Sequence, residues 1–211
     1  MARARASKPT ARQWRVSYVT SEVTSIIVSI EEETDVKPRR PAAIKPDVSE
    51  YGAYFGRYIT LVADADIVAV LEDQLKATRA LLESISEEKS NHRYEAGKWS
   101  IKELVGHVAD TERIFAYRAL RFARNDKTEL PGFDQDTFTA NANFANLSFT
   151  AVIQEYEAVR RATLLLFKNL GNDAWSRRGT ANNTELTVRA IAFTIAGHEL
   201  HHLGILKKRY L

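Results

Sequence analysis

Residues 99–124, WSIKELVGHVADTERIFAYRALRFAR, decide the fold of this chain. Ser100 and Glu103 carry the signature of a helix start, in which the serine hydroxyl accepts a hydrogen bond from the Glu103 amide and the glutamate side chain accepts one from the Ser100 amide. Apolar residues then recur at steps of three and four, the period of one helix face. The stretch predicts a long amphipathic helix whose inward residues are Leu104, Val108, Thr111, Phe115 and Phe122.

Three further segments have the same period, at about residues 64–86, 148–170 and 187–210. Gly171 is expected in the left-handed position just after the third helix. Two long connections, residues 125–147 and 171–186, separate the last three helices, and connections of this length in a bundle are usually functional or mobile. No strong strand signal follows residue 60, so the pattern predicts an all-α four-helix bundle.

The first 48 residues differ in composition from the rest of the chain. Residues 37–46 contain three prolines among basic residues, which is typical of a linker, and residues 25–30 form a β-like run. We therefore expect residues 1–48 to form an irregular N-terminal extension with a composition compatible with disorder. Residues 49–211 are expected to form the bundle.

The composition excludes several classes of protein. The chain has no cysteine, which excludes disulfides, thiolate catalysis, cysteine-type zinc sites and iron–sulfur clusters, and which fits a reducing cytoplasm. No apolar run approaches the roughly 20 residues that a membrane span needs. The formal charge of +3 arises mostly from the first fifteen residues, so no basic face for nucleic acid is predicted. We expect a cytoplasmic protein without membrane or nucleic-acid partners.

The segment GHELHHL, residues 197–203, carries the candidate chemistry. The inward stripe of the last helix passes through Val188, Ile191 and Ile195 and then places His198 and His202 where apolar residues are expected. Residues four apart project from the same helix face, so both imidazoles can bind one metal ion. The alternative is a pair of core histidines, each with its own hydrogen-bond partners.

Two neighbours of these histidines are candidates for supporting roles. His201 lies at the edge of the stripe and is expected beside the site or at the surface, with an i,i+3 pair with His198 as the alternative. The string His198-Glu199-x-x-His202 also matches a zinc-peptidase motif in which Glu199 would be the general base. Such enzymes need a further ligand downstream, and only nine residues follow His202, so a peptidase is not expected.

A third ligand is expected from another helix, because metal sites in bundles join facing helices. His107 lies on the second helix at the edge of its apolar face, so it could equally be an ordinary surface histidine. His92 lies in a polar segment and is a poorer candidate. Asp110, one turn after His107, is a candidate to orient an imidazole through its free N–H. Three neutral histidines would leave a fourth coordination position open for water, and Zn²⁺ and Ni²⁺ both suit imidazole ligands.

The segments WSIKELVGHVADTER (99–113), YRALRFAR (117–124), LPGFD (130–134) and GHELHHL (197–203) together resemble the DinB-like superfamily, over about residues 50–211. The resemblance implies a four-helix bundle with up-down-down-up topology and a tri-histidine metal site. Carried over position by position, its ligands are His107, His198 and His202. Relatives in this superfamily include bacillithiol S-transferases and a mycothiol-dependent maleylpyruvate isomerase, and many others are called metal-dependent hydrolases.

Three functions remain as hypotheses. The first is a metal-dependent enzyme, a thiol-dependent S-transferase or a hydrolase, acting on a small molecule with a low-molecular-weight thiol as possible cosubstrate. The second is a non-catalytic metal-binding or stress-response bundle, and the third is a structural homodimer with histidines in its core. A transferase needs positive charge for an anionic thiol, and the candidates are Arg118, Arg121, Arg177 and Arg178.

Overall fold

The structure is a computed structural model that describes residues 44–211. Most of the expected N-terminal extension, including its β-like run, lies outside the described residues. Within them, no helix has both the length and the apolar character needed to cross a membrane. The elements are α1 (Ala53–Ile59), α2 (Ile67–Glu83), α3 (Glu87–Ser90), α4 (Ile101–Ala123), α5 (Gln135–Asn141), α6 (Phe149–Lys168), β1 (Arg178–Ala181), β2 (Thr184–Thr187) and α7 (Val188–Ile205), followed by a π-helical turn at Leu206–Tyr210.

Four long helices, α2, α4, α6 and α7, form the bundle, which confirms the predicted fold class. The predicted cap of α4 is present, since the Ser100 amide donates to Glu103 Oε2 at 2.6 Å and the Glu103 amide donates to Ser100 Oγ at 3.3 Å. The five residues of α4 predicted to face inward are buried, and so are Val188, Ile191 and Ile195 on the predicted stripe of α7. Hydrophobic periodicity therefore identified the core face of these two helices.

Contacts between neighbouring helices give their relative directions. Two helices run parallel where the contacting residue numbers rise together, and antiparallel where one rises as the other falls. By this criterion α2 is parallel to α7 and α4 to α6, while α4–α7 and α2–α6 are antiparallel, so the order along the chain is up, down, down, up. The contacts are Gln74–Ala196 and Thr78–Glu199, Lys102–Leu147 and Arg113–Glu155, Trp99–Tyr210 and His107–His198, and Glu72–Lys168 and Arg79–Glu157.

A short antiparallel hairpin, β1–β2, interrupts the second long connection. Its two-residue turn is Asn182-Asn183, with φ of 49° and 55°, and asparagine tolerates the left-handed conformation that such hairpin turns require. The sequence has no strong strand signal here, because four-residue strands are too short to show a clear alternation. The expectation for Gly171 was wrong, since its φ is −69° and it precedes a 3₁₀ turn.

The two long connections and α1 cover one side of the bundle. Leu130 joins the edge of the hairpin, where its amide donates to the Thr180 carbonyl at 3.0 Å and its carbonyl accepts from the Asn182 amide at 2.9 Å. Helix α1, which the periodicity did not predict, packs on α7. The close approach requires Gly197, since a Cβ there would lie 2.1 Å from the Tyr58 carbonyl oxygen.

A buried charged cluster joins all four long helices. Arg160 of α6 has no exposed surface, and its guanidinium donates to both carboxylate oxygens of Glu112 on α4 at 2.8–3.1 Å. It also donates to the Glu199 carboxylate on α7 and, at 3.3 Å, to the Leu71 carbonyl on α2. Because both carboxylates are 2 % exposed or less, this arginine is their main counter-charge.

Candidate metal centre

Three buried imidazoles meet between α4 and α7. His107 Nε2 lies 3.2 Å from His198 Nε2, and His202 Nε2 lies 3.1 Å from the same atom. The three side chains are 3–8 % exposed, and one nitrogen from each lies within 4.8 Å of the other two. The structure thus brings together the three histidines that the sequence singled out as metal ligands.

The backbone places each imidazole in a different way. His198 and His202 are one turn apart on α7, so they share a face. His107 comes from the antiparallel helix α4, where its position at the edge of the apolar face did not predict burial. It is buried against the rings of Trp99, His198 and His202, and Phe144 packs on the neighbouring Gly106, where a Cβ would lie 2.4 Å from its ring.

The arrangement fits a divalent cation better than a hydrogen-bonded histidine cluster. A neutral imidazole nitrogen carries either one proton or one lone pair, so His198 Nε2 cannot form a good hydrogen bond with both His107 and His202. Four-coordinate zinc with nitrogen ligands at 2.0–2.1 Å places those nitrogens about 3.4 Å apart, close to the spacing here. Among the described residues, His202 Nδ1 is also buried without a hydrogen-bond partner.

The environment keeps the three imidazoles neutral. Burial lowers the pKa of His107 to about 4 and, together with the nearby His107 and His201, lowers the pKa of His202 to about 3. The pKa of His198 lies well below its usual value, first because of burial and then because of the neighbouring histidines. Neutral imidazole is the metal-binding form, so at neutral pH the site needs no deprotonation before it binds an ion.

Two residues outside the predicted set support His107. The Trp99 ring lies 4.7 Å from the imidazole, centroid to centroid, and the Trp99 carbonyl accepts a hydrogen bond from the Tyr210 hydroxyl at 2.6 Å. Thr111 Oγ1 lies 3.5 Å from His107 Nδ1. Periodicity predicted an inward position for Thr111 without a polar role, and a contact between the start of one helix and the end of another, such as Trp99–Tyr210, leaves no periodic signal.

The structure places the expected supporting residues away from the imidazole nitrogens. Asp110 is half-buried and bonds to Arg113 at 3.0 Å, because Thr111, one residue further, occupies the position facing His107. Glu199 lies about 100° around the helix from His198 and is held in the charged cluster by Arg160, so it is not placed as a general base. His201 is exposed, with its ring 5.6 Å from the Tyr58 ring.

A cavity of about 400 Å³ opens beside the three histidines, with His107 and His198 in its lining. Its walls come from α1, α4 and both long connections. Of the four candidate arginines, Arg118 lines the cavity, whereas Arg121, Arg177 and Arg178 are bound elsewhere, to Asp126, the Ala123 carbonyl and Glu185. The aromatic residues of the wall are Tyr54, Phe55, Tyr58, Phe115 and Phe133.

Comparison with known proteins gives consistent matches. The sequence model of the DinB superfamily matches residues 71–206, which include the three histidines. An Oceanobacillus iheyensis protein named "Putative metal-dependent hydrolase OB0413" is 28 % identical over 126 residues, covering 59 % of this chain and 72 % of that protein. YfiT from Bacillus subtilis, described as a probable metal-dependent hydrolase with an unusual four-helix bundle topology, has the same fold, with a TM-score of 0.59 and 15 % identity over 70 % of this chain and 87 % of its own.

Proposed function

Because the chain belongs to the DinB superfamily, we propose that it is a metal-dependent enzyme in which His107, His198 and His202 hold one divalent ion, Zn²⁺ or Ni²⁺. The observation that carries the proposal is the convergence of three neutral Nε2 atoms beside a cavity large enough for a small molecule. The all-imidazole set of donors suits these ions. The metal-dependent activity in the names of the two relatives agrees with this assignment.

The proposed reaction is attack by water or a small thiol on a small electrophilic substrate. A divalent ion held by His107, His198 and His202 would lower the pKa of a bound water or thiol toward neutral and so supply the nucleophile. Among the described residues that line the cavity, the one carboxylate is Asp134, and its Oδ1 accepts from the Thr137 amide at the start of α5. The side chains of the cavity are therefore assigned to binding and orientation of the substrate rather than to general-base catalysis.

Tyr58 is the clearest hydrogen-bond donor in the wall next to the histidines. Its ring lies 5.3 Å from the His198 ring, and burial raises the pKa of its hydroxyl to about 12. The hydroxyl therefore stays protonated at neutral pH. We assign it the role of donating to the oxygen or leaving group of a substrate bound beside the three imidazoles.

A turnover assay tests the proposal and separates its two forms. Zinc-loaded and nickel-loaded protein would be offered 4-nitrophenyl acetate for hydrolysis and monochlorobimane for thiol transfer, each with and without cysteine, bacillithiol or mycothiol. We expect metal-dependent turnover that is lost in His107→Ala and kept in His201→Ala. Dependence on a thiol would establish the transferase form. Full metal occupancy without turnover of either substrate would instead favour the non-catalytic metal-binding bundle.

A further inference from the structure

We propose that Arg118 binds an anionic group of the substrate, a carboxylate or another small oxyanion, at the end of the cavity opposite the three histidines. The inference rests on the proposed function only in taking this cavity as the substrate site. It narrows the substrate to small molecules with a reactive group at one end, an apolar body and an anion at the other end.

Arg118 is a buried cation without a counter-ion in the described part of the chain. The residue is 4 % exposed, and its hydrogen bond there is from Nη2 to the Pro131 carbonyl at 2.8 Å. Its guanidinium carbon lies 5.1 Å from the centre of the Phe115 ring. A guanidinium has five N–H groups in a fork that matches a carboxylate, so most of its donors remain for a ligand.

The contrast with the other buried arginine shows what is unusual here. Arg160 is neutralised by two carboxylates, Glu112 and Glu199. Arg118 has none within ion-pair distance among residues 44–211, and burial alone lowers its pKa. A charge withdrawn from water without a partner destabilises the fold. An anionic ligand would provide the missing partner.

The position of Arg118 on α4 sets the length of the ligand. It follows His107 by eleven residues, which is three turns and about 16 Å along the same helix face. Helical side chains lean toward the N-terminal end, so the guanidinium is directed back along the cavity toward Thr111. Aromatic rings line the space between the two ends. A molecule that reaches both ends therefore needs an apolar middle of several carbon atoms.

Binding of matched carboxylate and amide pairs tests the inference. Dissociation constants of phenylacetate, 3-phenylpropanoate and 4-phenylbutanoate, and of the corresponding amides, would be measured by NMR titration on metal-free and zinc-loaded protein. We expect at least one carboxylate to bind on the order of tenfold more tightly than its amide, as a charge-assisted pair predicts. The preference should fall to about one in Arg118→Gln and persist in part in Arg118→Lys.

Arg121→Gln is the matched control, because it removes the same charge one turn along the helix, where Arg121 already pairs with Asp126. It should keep the full preference for the carboxylate. The inference is overturned if no wild-type carboxylate binds more tightly than its amide, or if Arg118→Gln, with thermal unfolding like that of wild type, keeps the preference. If the protein binds no zinc but keeps the Arg118-dependent preference for a carboxylate, the result contradicts the proposed metal site and leaves the role of Arg118 standing.

Discussion

A glycine directly precedes a histidine of the candidate site on each of the two helices that form it, at Gly106-His107 and Gly197-His198. Another element packs directly against each glycine. Phe144 contacts Gly106, and the backbone of α1 at Tyr58 contacts Gly197. The absence of a side chain at each glycine therefore allows a second element to pack directly beside a histidine of the candidate site.

Gly197→Ala should destabilise the protein, although alanine is the better helix former. The added Cβ would lie 2.1 Å from a backbone oxygen, so α1 must shift, and overpacking of this kind costs about 1–3 kcal/mol. Gly204→Ala is the control on the same helix, since nothing lies within 4 Å of its Cβ, and it should stabilise by up to about 1 kcal/mol. Urea unfolding measures both, and an equal effect of the two variants would contradict the packing argument.

The buried histidines should also make stability depend on pH in the metal-free protein. The pKa of His107 is about 4 and that of His202 about 3 in the fold, against about 6.5 in the unfolded chain. Between pH 6.5 and 4 the unfolded chain binds more protons than the folded chain. The free energy of unfolding therefore falls by a few kcal/mol as pH drops through this window, and above it these groups cause no change.

Urea unfolding with a chelator at pH 7.5 and pH 5 measures this loss. His107→Gln removes one of the titrating groups, so the variant should lose less stability than wild type between the two values. An identical loss in both proteins would show that other groups cause the pH dependence and that His107 does not keep its lowered pKa in solution.

Among the secondary-structure elements, the long helices could be predicted from sequence and the short ones could not. Helices of 17–23 residues such as α2 and α4 repeat their apolar period several times. Helix α1 has seven residues and barely two turns, and the hairpin strands have four. These short elements, with α5, form much of the cavity wall, so the cavity could not be derived from periodicity.

The site was predictable in part for the same physical reason. His198 and His202 interrupt an apolar stripe, which is a local signal on one helix. The position of His107 beside His198 depends on contacts between helices 91 residues apart, and its role as a ligand was implied by the family resemblance rather than by spacing. Glu199 is a similar case, because its partner Arg160 is 39 residues away and no periodic pattern joins a charge on α6 to one on α7.

The charged cluster predicts a large difference between two adjacent arginines of α6. Arg160→Met leaves Glu112 and Glu199 buried without their counter-charge, which typically costs 3–5 kcal/mol, so we expect a loss of about this size. Arg161→Met removes an exposed pair with Glu157 and should cost less than about 1 kcal/mol. The free energy of unfolding in urea measures both changes. Similar values for the two variants would mean that the cluster does not hold the four helices together.

For the whole molecule, the domain boundary near residue 48 and the expected homodimer remain predictions. The contacts nearest the boundary involve Lys45, whose Nζ donates to the Val62 carbonyl at 2.7 Å, and Glu50, which bonds to Thr187 at 2.9 Å and to Arg189. Through these contacts Lys45 and Glu50 are part of the folded unit.

Light scattering of the purified protein tests the homodimer directly.

Deletion of residues 1–43 should therefore leave a cooperatively unfolding domain with unchanged zinc affinity. Deletion of residues 1–51 is the comparison, because it also removes Lys45 and Glu50, and it should lower the melting temperature by several degrees. Thermal unfolding followed by circular dichroism measures the effect. A non-cooperative transition in the shorter deletion would place the boundary before residue 43.

The central claim is that one chain holds one divalent ion through three histidines, and the zinc content of the purified protein tests it most directly. After loading with zinc and removal of the excess, elemental analysis should give one ion per chain for wild type and for His201→Ala, which leaves the three nitrogens in place. His107→Ala and His202→Ala should fall close to zero while keeping their helical circular dichroism. One zinc per chain in folded His202→Ala would contradict the claim.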